Sequence, residues 1–274
     1  MDLPNIETYL RPTNLQAVKT WSPGWSWLAG GTWLFSEPQP HLKVLVDLEK
    51  LNWSEIEVTP EGLAIGATCK MEKLLNFSYP ESWTSVKALQ SAVHHLASFK
   101  VTNMATVGGN ICLALPVSNF APVMVALEAI YEIINPTSQS YRVPAIEFQT
   151  GAQQTILQPG EVLRKIWIPH SNLEWLVNFK RIAITTAGYA ASIVVTAYHP
   201  QSSQVRFGLG ACVSAPRLMQ FSSIPTSAEI SEALLSEISL SEFIEDDKAS
   251  ASYRRQVTQI LMQRSLEEIL CQTI

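Results

Sequence analysis

The chain has 274 residues, which is enough for one large domain or two smaller ones with sizeable hydrophobic cores. Its net charge of −5 and the absence of a basic run argue against nucleic-acid binding, because phosphate contacts need clustered lysine and arginine. The N-terminal residues lack a signal-peptide pattern and no apolar run is long enough to span a bilayer, so the sequence predicts a soluble cytoplasmic protein.

The cysteines and histidines do not form a recognisable metal site. Four cysteines are scattered along the chain, and no two have the spacing of a zinc or iron–sulfur motif. No G-x-S-x-G and no P-loop occur, which disfavours hydrolase and NTPase functions. The chain also has eight tryptophans. Such a surplus is typical either of a tryptophan-rich core or of a surface that a cofactor or partner chain covers.

The first half of the chain alternates strands and helices. The segment of residues 44–48 is short and contains β-branched residues, which predicts a buried strand. Residues 56–58 and 63–67 flank Pro60-Glu61-Gly62, which is typical of a hairpin turn. A 3.6-residue hydrophobic period predicts a helix over residues 84–99, and Asn119 with Pro122 predicts a helix start that continues through Ala129.

The second half predicts an antiparallel sheet covered by helices. This sheet comes from two strand-like runs over residues 189–198 and 205–212, and a separate strand over residues 162–168, which ends at Pro169, precedes it. A later helix begins near Ser252, with Tyr253 and Val257 on its apolar face. The domain boundary is predicted between residues 173 and 174. The domain of residues 1–173 has two lobes of about 1–55 and 56–173, and a smaller domain covers residues 174–274.

Two loops contain paired glycines, Gly30-Gly31 before Thr32 and Gly108-Gly109 before Asn110. Paired glycines can adopt positive φ and turn several backbone N–H groups toward one point, which suits a pyrophosphate. One such loop is typical of an ordinary tight turn, whereas two with Thr and Asn indicate an anion or cofactor site. No G-x-G-x-x-G occurs, so a Rossmann site is disfavoured.

The order of these segments resembles the FAD-binding subunits of the xanthine dehydrogenase and carbon-monoxide dehydrogenase group of molybdenum hydroxylases. The resemblance covers nearly the whole chain, and the second loop is its most specific part. The segments that carry it are Leu28-Ala29-Gly30-Gly31-Thr32, Val44 to Leu48, Leu63 to Ala67, Asn103 to Ile111, Pro116 to Asn119, Ala126 to Ala129, Leu157 to Glu161, Phe179-Lys180-Arg181 and Asp247 to Arg255.

The resemblance implies an α+β fold with a two-lobed FAD-binding domain of the vanillyl-alcohol-oxidase (PCMH) type. A smaller α+β C-terminal domain with an antiparallel sheet and helices follows it. FAD would bind non-covalently between the two loops. The implied cofactor-binding residues are Leu28, Ala29, Gly30, Gly31, Thr32, Trp33, Leu34, Thr106, Val107, Gly108, Gly109, Asn110, Ser118, Asn119, Leu163 and Lys180.

The resemblance also implies an oxidoreductase subunit that works only with partner subunits. A molybdenum-cofactor subunit would hydroxylate the substrate, and two [2Fe–2S] clusters on another subunit would pass the electrons to FAD. The flavin would transfer them to NAD⁺, oxygen or another acceptor. The redox chemistry belongs to the cofactor, so no residue of this chain is predicted to be catalytic.

Several positions depart from the family pattern. Trp33 replaces an acidic residue, Thr102 an arginine and Asn119 an aspartate, and Leu113 stands where the family often has a small or polar residue. The segment 182–188 replaces a further family motif near the expected flavin ring. Three alternatives therefore stay open: a flavin-free assembly subunit, a flavoprotein that acts alone, and a module that binds another nucleotide.

Overall fold

The first sheet holds the N-terminal segment together. A computed structural model describes residues 3–18, 20–96, 99–185 and 188–272. Strands β1 (Thr8–Leu10), β2 (Trp25–Leu28) and β3 (Val44–Asp47) form a parallel sheet in the order β1-β3-β2. The central strand β3 is buried along its length, as its β-branched sequence predicted. Strand β2 therefore lies at an open edge, where it borders the cavity described below.

The second sheet is antiparallel and has the order β4-β5-β10-β6-β7 in the described residues. Its strands are β4 (Ile56–Thr59), β5 (Gly62–Gly66), β6 (Ile130–Ile134), β7 (Ser140–Pro144) and β10 (Val162–Pro169). Strands β4 and β5 form the predicted hairpin. Between β7 and β10 the chain forms a small hairpin of β8 (Gln149–Gly151) and β9 (Gln154–Thr155).

Short helices connect the strands of this region. They are α1 (Met71–Asn76), α2 (Val86–His94), α3 (Phe99–Thr102), α4 (Val107–Leu113), α5 (Phe120–Ala126), α6 (Ala145–Phe148) and α7 (His170–Leu173), with 3₁₀ turns at Leu15–Ala17 and Glu49–Leu51. The predicted helix over residues 84–99 is shorter than expected, and residues 97 and 98 of that prediction lie outside the described residues. The helix predicted through Ala129 ends at Ala126.

The third sheet has the order β11-β12-β13-β14 and is antiparallel. Its strands are β11 (Leu176–Ala183), β12 (Ala190–His199), β13 (Gln204–Gly210) and β14 (Arg217–Phe221). Helices α8 (Ser227–Glu237) and α9 (Ala251–Cys271) follow, with a 3₁₀ turn at Leu240–Glu242. The predicted antiparallel sheet with helices is thus present, and the fold as a whole is α+β.

Helix α9 shows why one detail of the sequence prediction is wrong. Tyr253, expected on the apolar face, is 44% exposed. The buried face instead includes Arg254, Thr258 and Ser265, which a hydrophobic pattern does not identify. Arg254 donates to the carbonyls of Ala191 and Ala211 and forms an ion pair with the carboxylate of Asp246, which compensates its buried charge.

The main hydrophobic core joins the second and third sheets through α5. All seven residues of α5 are buried, and the helix packs against β12 and β13. The backbones of α5 and β13 approach closely here, since a Cβ added at Gly208 would lie only 2.1 Å from the carbonyl oxygen of Pro122. The boundary at residues 173 and 174, and the two lobes of the first domain, remain predictions.

No helix in the described ranges is both long and apolar enough to cross a membrane.

Candidate functional site

A cavity of about 1240 Å³ lies between the first two sheets and reaches the third. One wall is continuous in sequence, since every residue from Trp21 to Leu34 lines it. The opposite walls come from the second glycine loop with α4, from the turn of residues 157–161, and from the start of β12. Typical ligand pockets enclose roughly 300–1,000 Å³, so this cavity has room for an extended dinucleotide.

The first glycine loop offers a row of backbone donors to this cavity. Among the described residues, none of the five amides from Gly30 to Leu34 has a hydrogen-bond partner. Gly31 adopts a φ of +69°, and the Phe35 amide donates to its carbonyl at 2.9 Å, so the loop closes into a single turn. Unpaired amides gathered in such a turn are a favourable environment for phosphate oxygens.

Each glycine loop packs closely against the backbone of a neighbouring segment. A Cβ at Gly30 would lie 2.0 Å from the carbonyl oxygen of Met104, just before the second loop. A Cβ at Gly108 would lie 2.6 Å from the carbonyl oxygen of Ala67. Glycine is thus needed at both positions for close backbone approach. Gly109 differs, because a Cβ there would meet only the Thr106 hydroxyl at 2.8 Å and the Ala29 methyl at 3.9 Å.

The second loop differs from the expectation that it presents backbone amides. The amides of Val107 and Gly108 donate to the carbonyls of Cys69 and Ala67. The Gly109 amide donates to the hydroxyl of Thr106, which caps α4. Because these donors are used within the protein, the second loop contributes side chains and shape to the cavity rather than a second row of amides.

Three polar side chains line the cavity beside this loop. Ser118 Oγ donates to Asn110 Oδ1 at 2.5 Å, which orients the Asn110 amide and leaves its Nδ2 without a partner in the described part of the chain. Asn119 occupies the N-cap position of α5, yet its side chain does not cap the helix. It donates to the carbonyl of Ala92 at 3.1 Å instead and so joins α2 to α5.

Fourteen of the sixteen predicted site residues line the cavity. Val107 does not, because its side chain is fully buried in the core beneath the loop. Lys180 does not either, because it pairs with Glu268 of α9 at 2.5 Å. Lys180 and Arg181 point to opposite faces of β11, and Arg181 is the neighbour that lines the cavity.

The cavity contains few charges. Arg181 is the one lysine or arginine among the described lining residues, and its guanidinium donates to the carbonyl of Gly188. Burial lowers the pKa of Arg181. Cys112 lines the cavity after the second loop, and burial raises the pKa of its thiol to about 12, so it stays protonated at neutral pH. The pyrophosphate of a dinucleotide would therefore be held mainly by amides.

Sequence reasoning named no tryptophan before Trp33 as a site residue, yet Trp21, Trp25 and Trp27 also line the cavity. The high tryptophan count left open whether these side chains belong to a core or to a covered surface, and it gave no location. The Trp27 indole donates to the carbonyl of Glu161 at 2.9 Å, which connects β2 to the turn of residues 157–161.

Comparisons with known proteins agree with this geometry. Residues 5–171 match the family described as the FAD binding domain in molybdopterin dehydrogenase. The glyceraldehyde dehydrogenase medium chain of Sulfolobus acidocaldarius is 26% identical over 257 residues, which cover 88% of this chain and 89% of that one. A carbon monoxide dehydrogenase structure from Hydrogenophaga pseudoflava, lacking the Mo-pyranopterin moiety, aligns with a TM-score of 0.81 at 21% identity over 99% of both chains.

Larger enzymes also match. Xanthine dehydrogenase from Oryza sativa is 29% identical over 148 residues, which cover 48% of this chain. Those residues are 11% of the rice protein, so the chain corresponds to a small part of that enzyme.

Proposed function

The chain belongs to the family of FAD-binding domains of molybdopterin dehydrogenases, and from this premise we propose that it is the electron-transfer subunit of a molybdenum hydroxylase complex. It would receive electrons from [2Fe–2S] clusters on one partner subunit, after a molybdenum-cofactor subunit has oxidised the substrate. The final acceptor would be NAD⁺, oxygen or another oxidant. The proposed location is the cytoplasm.

The row of five unpaired amides from Gly30 to Leu34 on the cavity wall is the observation that carries this proposal. A dianionic pyrophosphate needs several donors, and the described lining residues supply a single arginine or lysine. Backbone amides held by the fold bind such a group without a large conformational cost. The side-chain amide of Asn110 and the hydroxyl of Thr32, which also line the cavity, add further donors.

We assign the cofactor contacts to the fourteen lining residues. They are Leu28, Ala29, Gly30, Gly31, Thr32, Trp33, Leu34, Thr106, Gly108, Gly109, Asn110, Ser118, Asn119 and Leu163. FAD, when bound, supplies the redox chemistry, and the chain's own residues bind it, orient it and exclude water. Lys180 and Val107 are left out because neither lines the cavity.

A matched pair of oxidants tests the electron-transfer role. The chain would be purified with its partner subunits, reduced without oxygen, and mixed separately with NAD⁺ and with air-saturated buffer. Recovery of the oxidised flavin absorption with either acceptor supports the proposal. A flavin that stays reduced with both, while an artificial dye reoxidises it, would restrict the acceptor to some other oxidant.

The departures from the family pattern favour one alternative, a flavin-free assembly subunit. Trp33 lines the cavity where the family usually has an acidic residue, and the side-chain amide of Asn119 donates a hydrogen bond to the carbonyl of Ala92. Under this alternative the complex would assemble normally but contain molybdenum and iron without stoichiometric flavin. Metal and flavin analysis of the same purified complex separates the two functions.

A further inference from the structure

The hairpin between β11 and β12 forms one rim of the cavity and is apolar and exposed. Gly188, Tyr189 and Ala190 line the cavity. The Gly188 amide donates to the carbonyl of Thr185 at 3.0 Å, so Ile184 and Tyr189 flank a closed turn. Ile184 is 77% exposed and Tyr189 is 58% exposed, the two largest fractions for any large apolar side chain in the described ranges. Exposed apolar surface beside a cavity is typical of a binding site. We call Ile184, Thr185, Gly188 and Tyr189 the hairpin rim.

We propose that the hairpin rim binds the electron acceptor, and that this acceptor is an uncharged planar oxidant of the quinone class rather than NAD⁺. The inference rests on the proposed function, because it names the acceptor class of the same subunit. The quinone takes two electrons and two protons from the reduced flavin. Both of its carbonyl oxygens thereby become hydroxyls, and the flavin returns to its oxidised form.

The charge of the hairpin disfavours a pyridine dinucleotide. Residues 182–190 contain no lysine, arginine, histidine, aspartate or glutamate. Arg181 precedes them on β11, but its guanidinium donates to the carbonyl of Gly188. The unpaired amides from Gly30 to Leu34 are assigned to the pyrophosphate of the cofactor. NAD⁺ carries a pyrophosphate of its own, and the side chains of the hairpin rim supply no cation to bind it.

Two hydroxyl groups supply the polar contacts that a quinone needs. A quinone has two carbonyl oxygens, which accept hydrogen bonds but cannot donate them. The hydroxyls of Thr185 and Tyr189 have no partner within the described ranges, so both can donate. A Cβ at Gly188 would lie 2.6 Å from Thr185 Oγ1, which places that hydroxyl beside the turn. Neutral donors match the neutral acceptors of a quinone without the cost of desolvating a charge.

The shape of the hairpin rim favours a quinone over molecular oxygen. Tyr189 offers a flat aromatic face on which a planar ring can stack, and Ile184 lies at the other end of the same turn. A ring that contacts both side chains removes their apolar surface from water, which stabilises the bound state. Oxygen is too small to cover this surface.

Calorimetric titration of the full chain, loaded with oxidised FAD, tests this assignment without turnover. The probes are menadione, which is a naphthoquinone, and NAD⁺. We expect menadione to bind and NAD⁺ not to bind. Ile184→Asp should weaken menadione binding at least about tenfold, because a carboxylate replaces the apolar contact. Ile184→Val removes one methylene and should weaken it less than about fourfold.

The matched control is Ile224→Asp, at an exposed isoleucine between β14 and α8 that does not line the cavity. This variant should leave menadione affinity unchanged. Thermal melts and FAD affinities of all variants would show that they fold and hold the cofactor.

The remaining outcomes separate the acceptor assignment from the proposed function. Binding of NAD⁺ that depends on Ile184, or menadione affinity that is unchanged in Ile184→Asp, would overturn the assignment. If Ile184→Asp instead releases a partner subunit from the purified complex and leaves menadione affinity unchanged, the hairpin rim is a subunit contact. FAD binding without menadione binding would contradict the acceptor class and leave the proposed function intact. Menadione binding that depends on Ile184 in a chain unable to hold FAD would support the rim site and contradict the proposed function.

Discussion

Gly109 is the position where a substitution should affect cofactor binding most and protein stability least. A Cβ at this position meets the Thr106 hydroxyl and the Ala29 methyl, so a larger side chain must extend between the two loops. We expect Gly109→Leu to abolish FAD binding, or weaken it at least a hundredfold, because its side chain would occupy the space between the two loops. Loss of the Thr106 cap should lower the free energy of unfolding by only about 1 kcal/mol.

The measurement compares FAD affinity with the thermal midpoint of the flavin-free chain for Gly109→Leu, Gly109→Ala and the unmodified protein. Gly109→Ala adds one carbon and should give an intermediate affinity. Unchanged FAD affinity in Gly109→Leu would show that the cofactor does not lie between the loops.

Asp246 provides a pH-dependent prediction at the residue scale. Burial alone would raise the pKa of Asp246, but the hydrogen bond from Arg254 and the amides of Lys248 and Ala249 keep it below its usual range. Stability from a depressed carboxyl pKa is present above the unfolded-state value of about 4 and is lost as the pH falls through the folded-state value. Asp246→Asn should therefore be less stable at pH 7 by roughly 1 kcal/mol.

The check is urea unfolding of both proteins between pH 7 and pH 3. The difference in the free energy of unfolding should shrink below about pH 4, where the wild-type carboxyl also becomes neutral. A difference that grows on acidification would contradict the assigned role of this ion pair.

At the scale of elements, the capping box of α8 gives a prediction that is independent of the cofactor. The Thr226 hydroxyl accepts from the Glu229 amide, and the Glu229 carboxylate accepts from the Thr226 amide. Thr226→Ala should lower the free energy of unfolding by about 1 kcal/mol and leave FAD affinity unchanged. Chemical denaturation and a flavin titration measure the two quantities, and Ser236→Ala, exposed near the other end of the same helix, is the control.

Local sequence patterns predicted the elements whose signals are themselves local. The hairpin of β4 and β5 follows from Pro60-Glu61-Gly62, and the buried strand β3 follows from its β-branched residues. Helix α5 ends three residues earlier than predicted because Glu128, with a φ of +46°, turns the chain into β6. That turn is determined by the sheet that follows, and the hydrophobic period of a helix does not predict it.

The features of the candidate site that have a sequence motif could be predicted, whereas the features that arise from tertiary contacts could not. The two glycine loops were identified, whereas the use of the Val107 and Gly108 amides depends on the carbonyls of Cys69 and Ala67, which lie just after β5 and far away in sequence. Lys180 was selected by a motif, but strand alternation directs it to Glu268 of α9. The tryptophans of β2 were counted but not located, because only the parallel pairing with β3 places them at the sheet edge.

At the scale of the whole molecule, the third sheet supports the FAD-binding region through α5. The seven buried residues of that helix pack on β12 and β13. A fragment of residues 1–173 would expose this face, so we expect it to lose cooperative unfolding and to bind a hydrophobic dye. Urea unfolding by near-ultraviolet circular dichroism is the measurement. A cooperative transition of the fragment, with FAD affinity like that of the full chain, would show that the third sheet is dispensable.

Non-covalent FAD in the cavity between the glycine loops is the central claim. The most direct test is an absorption spectrum of the purified full chain, repeated on the supernatant after denaturation. We expect flavin bands that move entirely into the supernatant, with one FAD per chain identified by chromatography. A colourless protein that also fails to bind added FAD would contradict the claim and favour the flavin-free assembly subunit.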